Sequence, residues 1–202
     1  MTLALIDTST ANIASVRYAL NRLGAEPVLA ATPGEAARAE KLVLPGVGAA
    51  GPAMRALEAS GWADALRTDT RPLLGVCLGM QLLFGESDED SAGGGPVPLL
   101  GLVPGRVERL DPAGAGPWPH MGWNTLDFVP GSDPLTEGIE PGAHVYFVHG
   151  FYVPEGPATV ATATYGPRIS AIVRHGHVAG CQFHPERSGA VGARILSNFI
   201  RG

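Results

Sequence analysis

Four times in the first half of the chain, a short unbroken apolar run meets a turn and is then followed by a helical signal. Leu3 to Ile6 stops at Asp7 and precedes Ile13, Val16, Leu20 and Leu23, a helical spacing over Asn12 to Leu23 that Gly24 closes. Pro27 to Ala31 leads to Thr32-Pro33-Gly34-Glu35, which reads as an N-cap, a proline at the first helical position and a capping-box Glu. Leu42-Val43-Leu44 leads to Pro45-Gly46-Val47-Gly48 and a helix expected over Pro52 to Ala59. Leu73 to Val76 ends at Cys77, with a helix expected over Leu78 to Phe84. Strands that are apolar on both faces must be covered on both faces. Repeated strand, turn and helix therefore predict a parallel sheet between two helical layers.

The second half changes character. Val103 to Leu110, Trp123 to Val129, His144 to Val153, Thr159 to Tyr165, Ser170 to Arg174 and His177 to Phe183 all read as strands separated by Gly- and Pro-containing turns. Helical spacing returns at Ala190 to Ile200, with Ser188 as an N-cap. Glu86 to Pro98 is acidic and then rich in Gly and Pro, and reads as an exposed loop. No repeat and no long linker interrupts the chain. The expectation is one α/β domain over residues 1–202: a central, mostly parallel sheet flanked by helices, with antiparallel strand additions in the C-terminal half.

Composition excludes several classes. With 45% hydrophobic residues the chain can bury a substantial core. A net charge of −5 without a basic stripe argues against nucleic acid as a partner. No stretch of about 20 residues is apolar enough to cross a bilayer. The N-terminal run lacks a signal peptide's basic start and is cut short by Asp7. The two cysteines, Cys77 and Cys181, do not make a disulfide framework, so a reducing cytoplasm is expected. Lys41 is the only lysine, a composition bias that carries no function.

The chemistry begins at Gly75-Val76-Cys77-Leu78-Gly79, which has the G-x-nucleophile-x-G form of a nucleophile elbow with Cys for Ser. Glycines on either side would let the chain turn sharply from strand to helix. The helix N-terminus then favours a thiolate and offers the Leu78 N–H to an oxyanion. Alone, the pentapeptide fits equally well a buried structural cysteine between incidental glycines. The second piece is Gln182-Phe183-His184-Pro185-Glu186, at the end of a strand-like run. There His184 could take the thiol proton while Glu186 fixes the imidazole tautomer. Pro45-Gly46-Val47-Gly48 closes the third strand and could present further backbone N–H groups beside the elbow. Gln81, one helical turn beyond Cys77, offers donor and acceptor to a bound amino acid, or else is a solvated helix residue. A metal on Cys181, His184 and Glu186 is disfavoured. Strand alternation sends Cys181 to the face opposite Gln182 and His184, and no C-x-x-C spacing is present. No metal or cofactor is expected.

Together, Pro45-Gly46-Val47-Gly48, Gly75-Val76-Cys77-Leu78-Gly79-Met80-Gln81-Leu82-Leu83-Phe84 and Phe183-His184-Pro185-Glu186 resemble the class I glutamine amidotransferases. That resemblance implies a Cys77, His184 and Glu186 triad, oxyanion N–H groups from Val47 and Leu78, and glutamine contacts at Gly48 and Gln81. Pro119-His120-Met121-Gly122-Trp123-Asn124, Tyr146-Phe147-Val148-His149 and His184-Pro185-Glu186-Arg187-Ser188-Gly189 narrow it to the glutaminase subunits of imidazole glycerol phosphate synthase, in histidine biosynthesis. The first turn, with Asn12 and Ser15, resembles those subunits too. The resemblance runs from Leu3 to Phe199. It implies glutamine as substrate, a (β/α)8 cyclase as heterodimer partner that receives the ammonia, and a docking surface including Asn12, His120, Trp123 and Arg187. Two positions depart from the pattern: Arg187 stands where the family usually has Lys, and Gly150 where it often has a hydroxyl-bearing residue. The alternatives are a glutaminase of pyridoxal phosphate, anthranilate or carbamoyl phosphate synthesis, and a non-catalytic relative.

Overall fold

In the computed structural model, which describes residues 2–8, 13–89, 95–131 and 133–202, the apolar runs of the first half become strands. These are β1 (Leu3–Ile6), β2 (Val28–Ala30), β3 (Lys41–Gly46) and β4 (Leu73–Cys77), joined through α1 (Ile13–Arg22), α2 (Ala50–Ala59) and α3 (Trp62–Thr68). The chain continues through α4 (Leu78–Gln81), β5 (Glu86–Ser87), β6 (Val97–Pro98), β7 (Arg106–Arg109) and α5 (Pro112–Ala115). Then come β8 (His120–Thr125), β9 (Asp127–Phe128), β10 (His144–His149), β11 (Phe151–Tyr152), β12 (Thr159–Thr164), β13 (Arg168–His175), β14 (Val178–Cys181) and α6 (Gly189–Arg201).

The main sheet has eight strands in the order β2-β1-β3-β4-β14-β13-β12-β9. The first five are parallel, and β13, β12 and β9 add antiparallel at one edge. Every residue of β1 and β4 is buried, which accounts for runs without polar alternation. One face carries Ala4, Ile6, Leu42 and Leu44 against α2, α3 and α4. The other carries Leu3, Leu5, Val43 and Val76 against α1 and α6. The α/β expectation of a mostly parallel sheet between helical layers therefore holds.

Several local expectations need correction. The helix expected over Leu78 to Phe84 ends at Gln81. The carbonyls of Leu82, Leu83 and Phe84 instead accept N–H groups from Leu100, Val103 and Gly101, so a crossing segment satisfies what a longer helix would have. Glu86 to Pro98 is not simply a loop, because β5 and β6 pair at its two ends; residues 90–94 lie outside the described set. The strand-rich half does not all join one sheet. β14 is parallel to β4, β8 pairs only with β10, and β11-β7-β5-β6 form a separate sheet. The turn at Thr32 is a single 3-10 turn whose Glu35 accepts from the Ala31 N–H. Ser188 makes no side-chain cap. Its hydroxyl donates to the His184 carbonyl at 2.7 Å and accepts from the Tyr146 N–H at 3.0 Å. The short α3 carries too few apolar positions, Trp62, Ala63 and Leu66, to announce itself by periodicity.

Candidate active site

The C-terminal ends of β3, β4 and β14 converge on one place. Gly46 is the register partner of Cys77, and Cys181 that of Val76. A ligand crevice outside the carboxyl ends of parallel strands is where an open α/β sheet places its chemistry.

Cys77 ends β4 with φ 53° and ψ −114°, and among the described residues it is the one non-glycine with positive φ. The strain of the elbow therefore sits on the cysteine itself. The flanking glycines do a different job from the one their positions suggested. A Cβ on Gly79 would lie 1.9 Å from the Leu44 carbonyl oxygen, and one on Gly75 2.7 Å from the Gly79 oxygen. They allow α4 to lie against the backbones of β3 and β4, which aims Cys77 out of the sheet.

His184 follows β14, and its N–H is held by the Tyr146 carbonyl at 2.9 Å. Its Nδ1 hydrogen-bonds Glu186 Oε1 at 2.8 Å, both side chains being almost wholly buried. Its Nε2 has no hydrogen-bond partner among the described residues, and the ring lines the same cleft as Cys77. Burial opposes a charge on this imidazole. The Glu186 hydrogen bond and the electrostatic influence of Cys77 and Glu186 outweigh burial and hold the ring well above the ordinary histidine range. Cys181 faces the opposite way, packed with Phe183 in the core, and burial raises its thiol far above the usual range.

The cleft has a volume of about 110 Å³. Val47, Gly48, Leu78, Gln81 and the segment Val148 to Phe151 line it around Cys77 and His184. The Cys77 thiol donates to the Val148 carbonyl at 3.7 Å. Gln81 is neither solvated nor idle: its Nε2 donates to the Phe151 carbonyl at 2.8 Å and to Gln182 Oε1 at 2.9 Å. Glu89 also lines the cleft, and its Oε2 accepts the Ala50 N–H at the start of α2 at 2.8 Å. Sequence reasoning missed Glu89 because it sits in an acidic run that looks like any solvated loop.

The residues expected at a docking surface divide. Trp123 is 57% exposed, next to Met121 at 63% on the same face of β8. Arg187 is exposed, with its guanidinium 4.8 Å from the Tyr146 ring centre. His120 does not belong to that surface. Strand alternation turns it inward, where it stacks between Phe147 and Tyr165 at 4.7 and 4.0 Å and is 3% exposed. Asn12 lies outside the described residues. Gly150 is covered by the Trp118 indole, whose Nε1–H donates to the Gly150 carbonyl at 3.0 Å.

The family model described as glutamine amidotransferase class-I matches residues 4–202. Imidazole glycerol phosphate synthase subunit HisH from Xylella fastidiosa (strain Temecula1) is 50% identical over 197 residues, 98% of this chain and 96% of that protein. The subunits of the same description from Vibrio cholerae and Yersinia pseudotuberculosis are 46% and 42% identical, over 97% and 99% of this chain and 96% and 99% of their own lengths. Among solved structures, a glutamine amidotransferase superposes with a TM-score of 0.75 at 21% identity, covering 98% of this chain and 97% of that one. PurLQS from Thermotoga maritima superposes with a TM-score of 0.72 at 20% identity, covering 99% and 97%. At these identities the structures speak to the fold alone.

Proposed function

Since the chain belongs to the class I glutamine amidotransferases, within the family of imidazole glycerol phosphate synthase HisH subunits, we propose how its residues carry out the glutaminase reaction that serves histidine biosynthesis. The single observation that supports the assignment most is the strained Cys77 sharing a cleft with His184, whose far nitrogen is held by Glu186.

The Cys77 sulfur attacks the side-chain carbonyl carbon of glutamine. The carbonyl oxygen takes the negative charge and is stabilised by the backbone N–H groups of Val47 and Leu78. Protonated His184 gives its Nε2 proton to the amide nitrogen as the C–N bond breaks, releasing ammonia and leaving a γ-glutamyl thioester on Cys77. Water then attacks the thioester and His184 takes the water's proton. Collapse of the second intermediate frees glutamate and restores the cysteine. Throughout, Glu186 keeps the imidazole oriented and offsets its charge. Gly48 and Gln81 border the substrate, and Glu89 is the carboxylate in the cleft that suits the α-ammonium of an amino acid.

The ammonia is consumed by a (β/α)8 cyclase bound as a heterodimer partner, which makes imidazole glycerol phosphate and aminoimidazole carboxamide ribotide. The exposed Met121, Trp123 and Arg187 beside the cleft form the docking rim for it. The chain acts as one glutamine amidotransferase domain in the cytoplasm. No helix among the described residues is long and apolar enough to cross a membrane. The test is glutamate release from glutamine by the protein with its cyclase. Activity that survives Cys77→Ala would overturn the assignment.

A further inference from the structure

His149 in the wall of the cleft and His120 behind it form a buried pair that the proposed glutaminase steps do not use. His120 Nδ1 and His149 Nε2 are 2.9 Å apart. Their tautomers follow from their partners. His149 Nδ1 lies 2.8 Å from the Phe151 carbonyl, which can only accept, so Nδ1 carries the proton. Burial holds His149 down to about 3, with the neighbouring His120 adding to the effect, so the ring is neutral and its Nε2 is an acceptor. His120 must therefore donate from Nδ1. Burial holds it down to about 4, so its Nε2 in turn accepts, from Asn124 Nδ2 at 3.4 Å. The Asn124 amide is fixed independently: its Oδ1 accepts the Thr125 N–H at 2.8 Å and its Nδ2 also donates to the Thr164 carbonyl at 3.0 Å.

The Phe151 carbonyl ends this chain, and a second one runs from Gln81 to the nucleophile. The Phe151 carbonyl receives a second donor, Gln81 Nε2, which also donates to Gln182 Oε1. With its oxygen thus occupied, the fully buried Gln182 turns Nε2 towards Cys77 Sγ, 4.0 Å away. Reversing the Gln81 amide would set oxygen against the Phe151 carbonyl. Reversing Gln182 would set oxygen against the sulfur.

We propose that His120 and His149 are positioning residues for the glutaminase site: the hydrogen-bond chain from Asn124 on β8 through both imidazoles ends on the Phe151 carbonyl and fixes where that oxygen lies, and Gln81 donates to the same oxygen, so that Gln81 and Gln182 are held with an N–H facing the Cys77 sulfur. The proposal rests on the glutaminase reading above. A donor at that point orients the sulfur for attack on the amide carbon. Because β8 also carries exposed Met121 and Trp123, the chain begins on the strand that bears the docking rim. His120 touches no substrate and acts only through His149.

Three measurements test it on the full chain in complex with its cyclase. His120→Leu removes the donor and leaves His149 Nε2 unpaired. Glutamate release and iodoacetamide alkylation of Cys77 at fixed pH are both expected to fall at least about tenfold, the scale of losing an outer partner that orients a site residue. Synthesis from added ammonium salt stays unchanged. His120→Asn places an amide N–H where Nδ1 stood and is expected to recover most of both losses. In the wild type, 15N NMR is expected to show both rings as Nδ1-protonated and untitrated from about pH 5.5 to 8.5. Wild-type glutamate release in His120→Leu, failure of His120→Asn to rescue, or an Nε2-protonated His120 would each overturn the proposal. Should His120→Leu not fold, the rescue variant and the wild-type tautomers still decide. A failure of the glutaminase reading shows separately, as glutamate release that does not depend on Cys77.

Discussion

The Trp118 indole occupies the space that a side chain at position 150 would need: a Cβ built on Gly150 lies 2.6 Å from Trp118 Cζ2. The two residues are one feature. The tryptophan covers the glycine, donating Nε1–H to the Gly150 carbonyl and lying under Arg109 at 5.2 Å. Gly150→Thr is expected to push the indole off and cost about 1–3 kcal/mol, as overpacking does. Adding Trp118→Leu is expected to return most of it. Denaturant midpoints of the single and double variants check this, and additive losses would count against the coupling.

The triad chemistry predicts a selective loss. Cys77→Ala abolishes glutamine-dependent synthesis in the complex while synthesis from ammonium salt continues, because only the ammonia supply is removed. Alkylation gives a second reading. Buried Cys181, its thiol raised by desolvation, stays unreactive in the folded protein, so the native chain takes up one equivalent of iodoacetamide and Cys77→Ala takes none. Two equivalents in the native state would contradict the packing of Cys181.

The elements legible in the sequence are those whose signal is local. The runs at Leu3, Leu42 and Leu73 became the buried strands, and Cys77, His184 and Glu186 came together because two strand ends adjacent in the sheet carry them. What was not legible depends on distant partners. No periodicity reveals that Leu82 to Phe84 leave the helix because residues 100–103 take their carbonyls, or that Glu89 reaches across to α2. His120 was misplaced for a related reason. A shared motif says which strand matters, whereas strand alternation decides which of its residues face outward.

Lys41 illustrates the same limit. The only lysine of the chain is 8% exposed, and its Nζ donates to the Phe199 and Ile200 carbonyls at 2.8 and 3.1 Å, closing α6 from a strand far away in sequence. Lys41→Met keeps the stem and leaves those carbonyls without their donor. A loss of about 1–3 kcal/mol is expected, visible as a lower Tm with glutamate release at low temperature intact. An unchanged Tm would show that other donors replace the ammonium.

The buried histidine pair sets the acid limb of stability. Unfolded, each imidazole binds a proton below about pH 6.5. Folded, His120 does so only near about 4 and His149 near about 3. Between those limits the unfolded chain holds more protons, so stability rises with pH and is lost as pH falls, by up to about 1.4 kcal/mol per pH unit for each group. His149→Asn removes one of the two groups, and the dependence of unfolding free energy on pH between about 6 and 4 is expected to flatten accordingly. An unchanged slope would mean the ring is already protonated in the fold.

The last prediction is that this chain alone is a slow glutaminase and that its partner switches it on. The Gly46–Val47 peptide is the pivot. Gly46 is pressed against the Gly79 and Leu78 backbone, where a Cβ would lie 2.6 Å from the Gly79 nitrogen, while Gly48 holds φ 95° with open space around it. A turn between a clamped and a free glycine has room to present the Val47 N–H or the Gly46 carbonyl to the cleft. An oxyanion donor turned away costs roughly 10²–10³ in rate in other hydrolases. Ammonia released without a bound acceptor is wasted, so a donor that turns inward only when the cyclase and its nucleotide are in place couples supply to demand. Glutamate release measured for the chain alone, with cyclase, and with cyclase plus nucleotide ligand is expected to rise at each step, most at the last. Equal rates in all three states would rule out the switch, and a high rate for the isolated chain would show that the Val47 N–H is already in place.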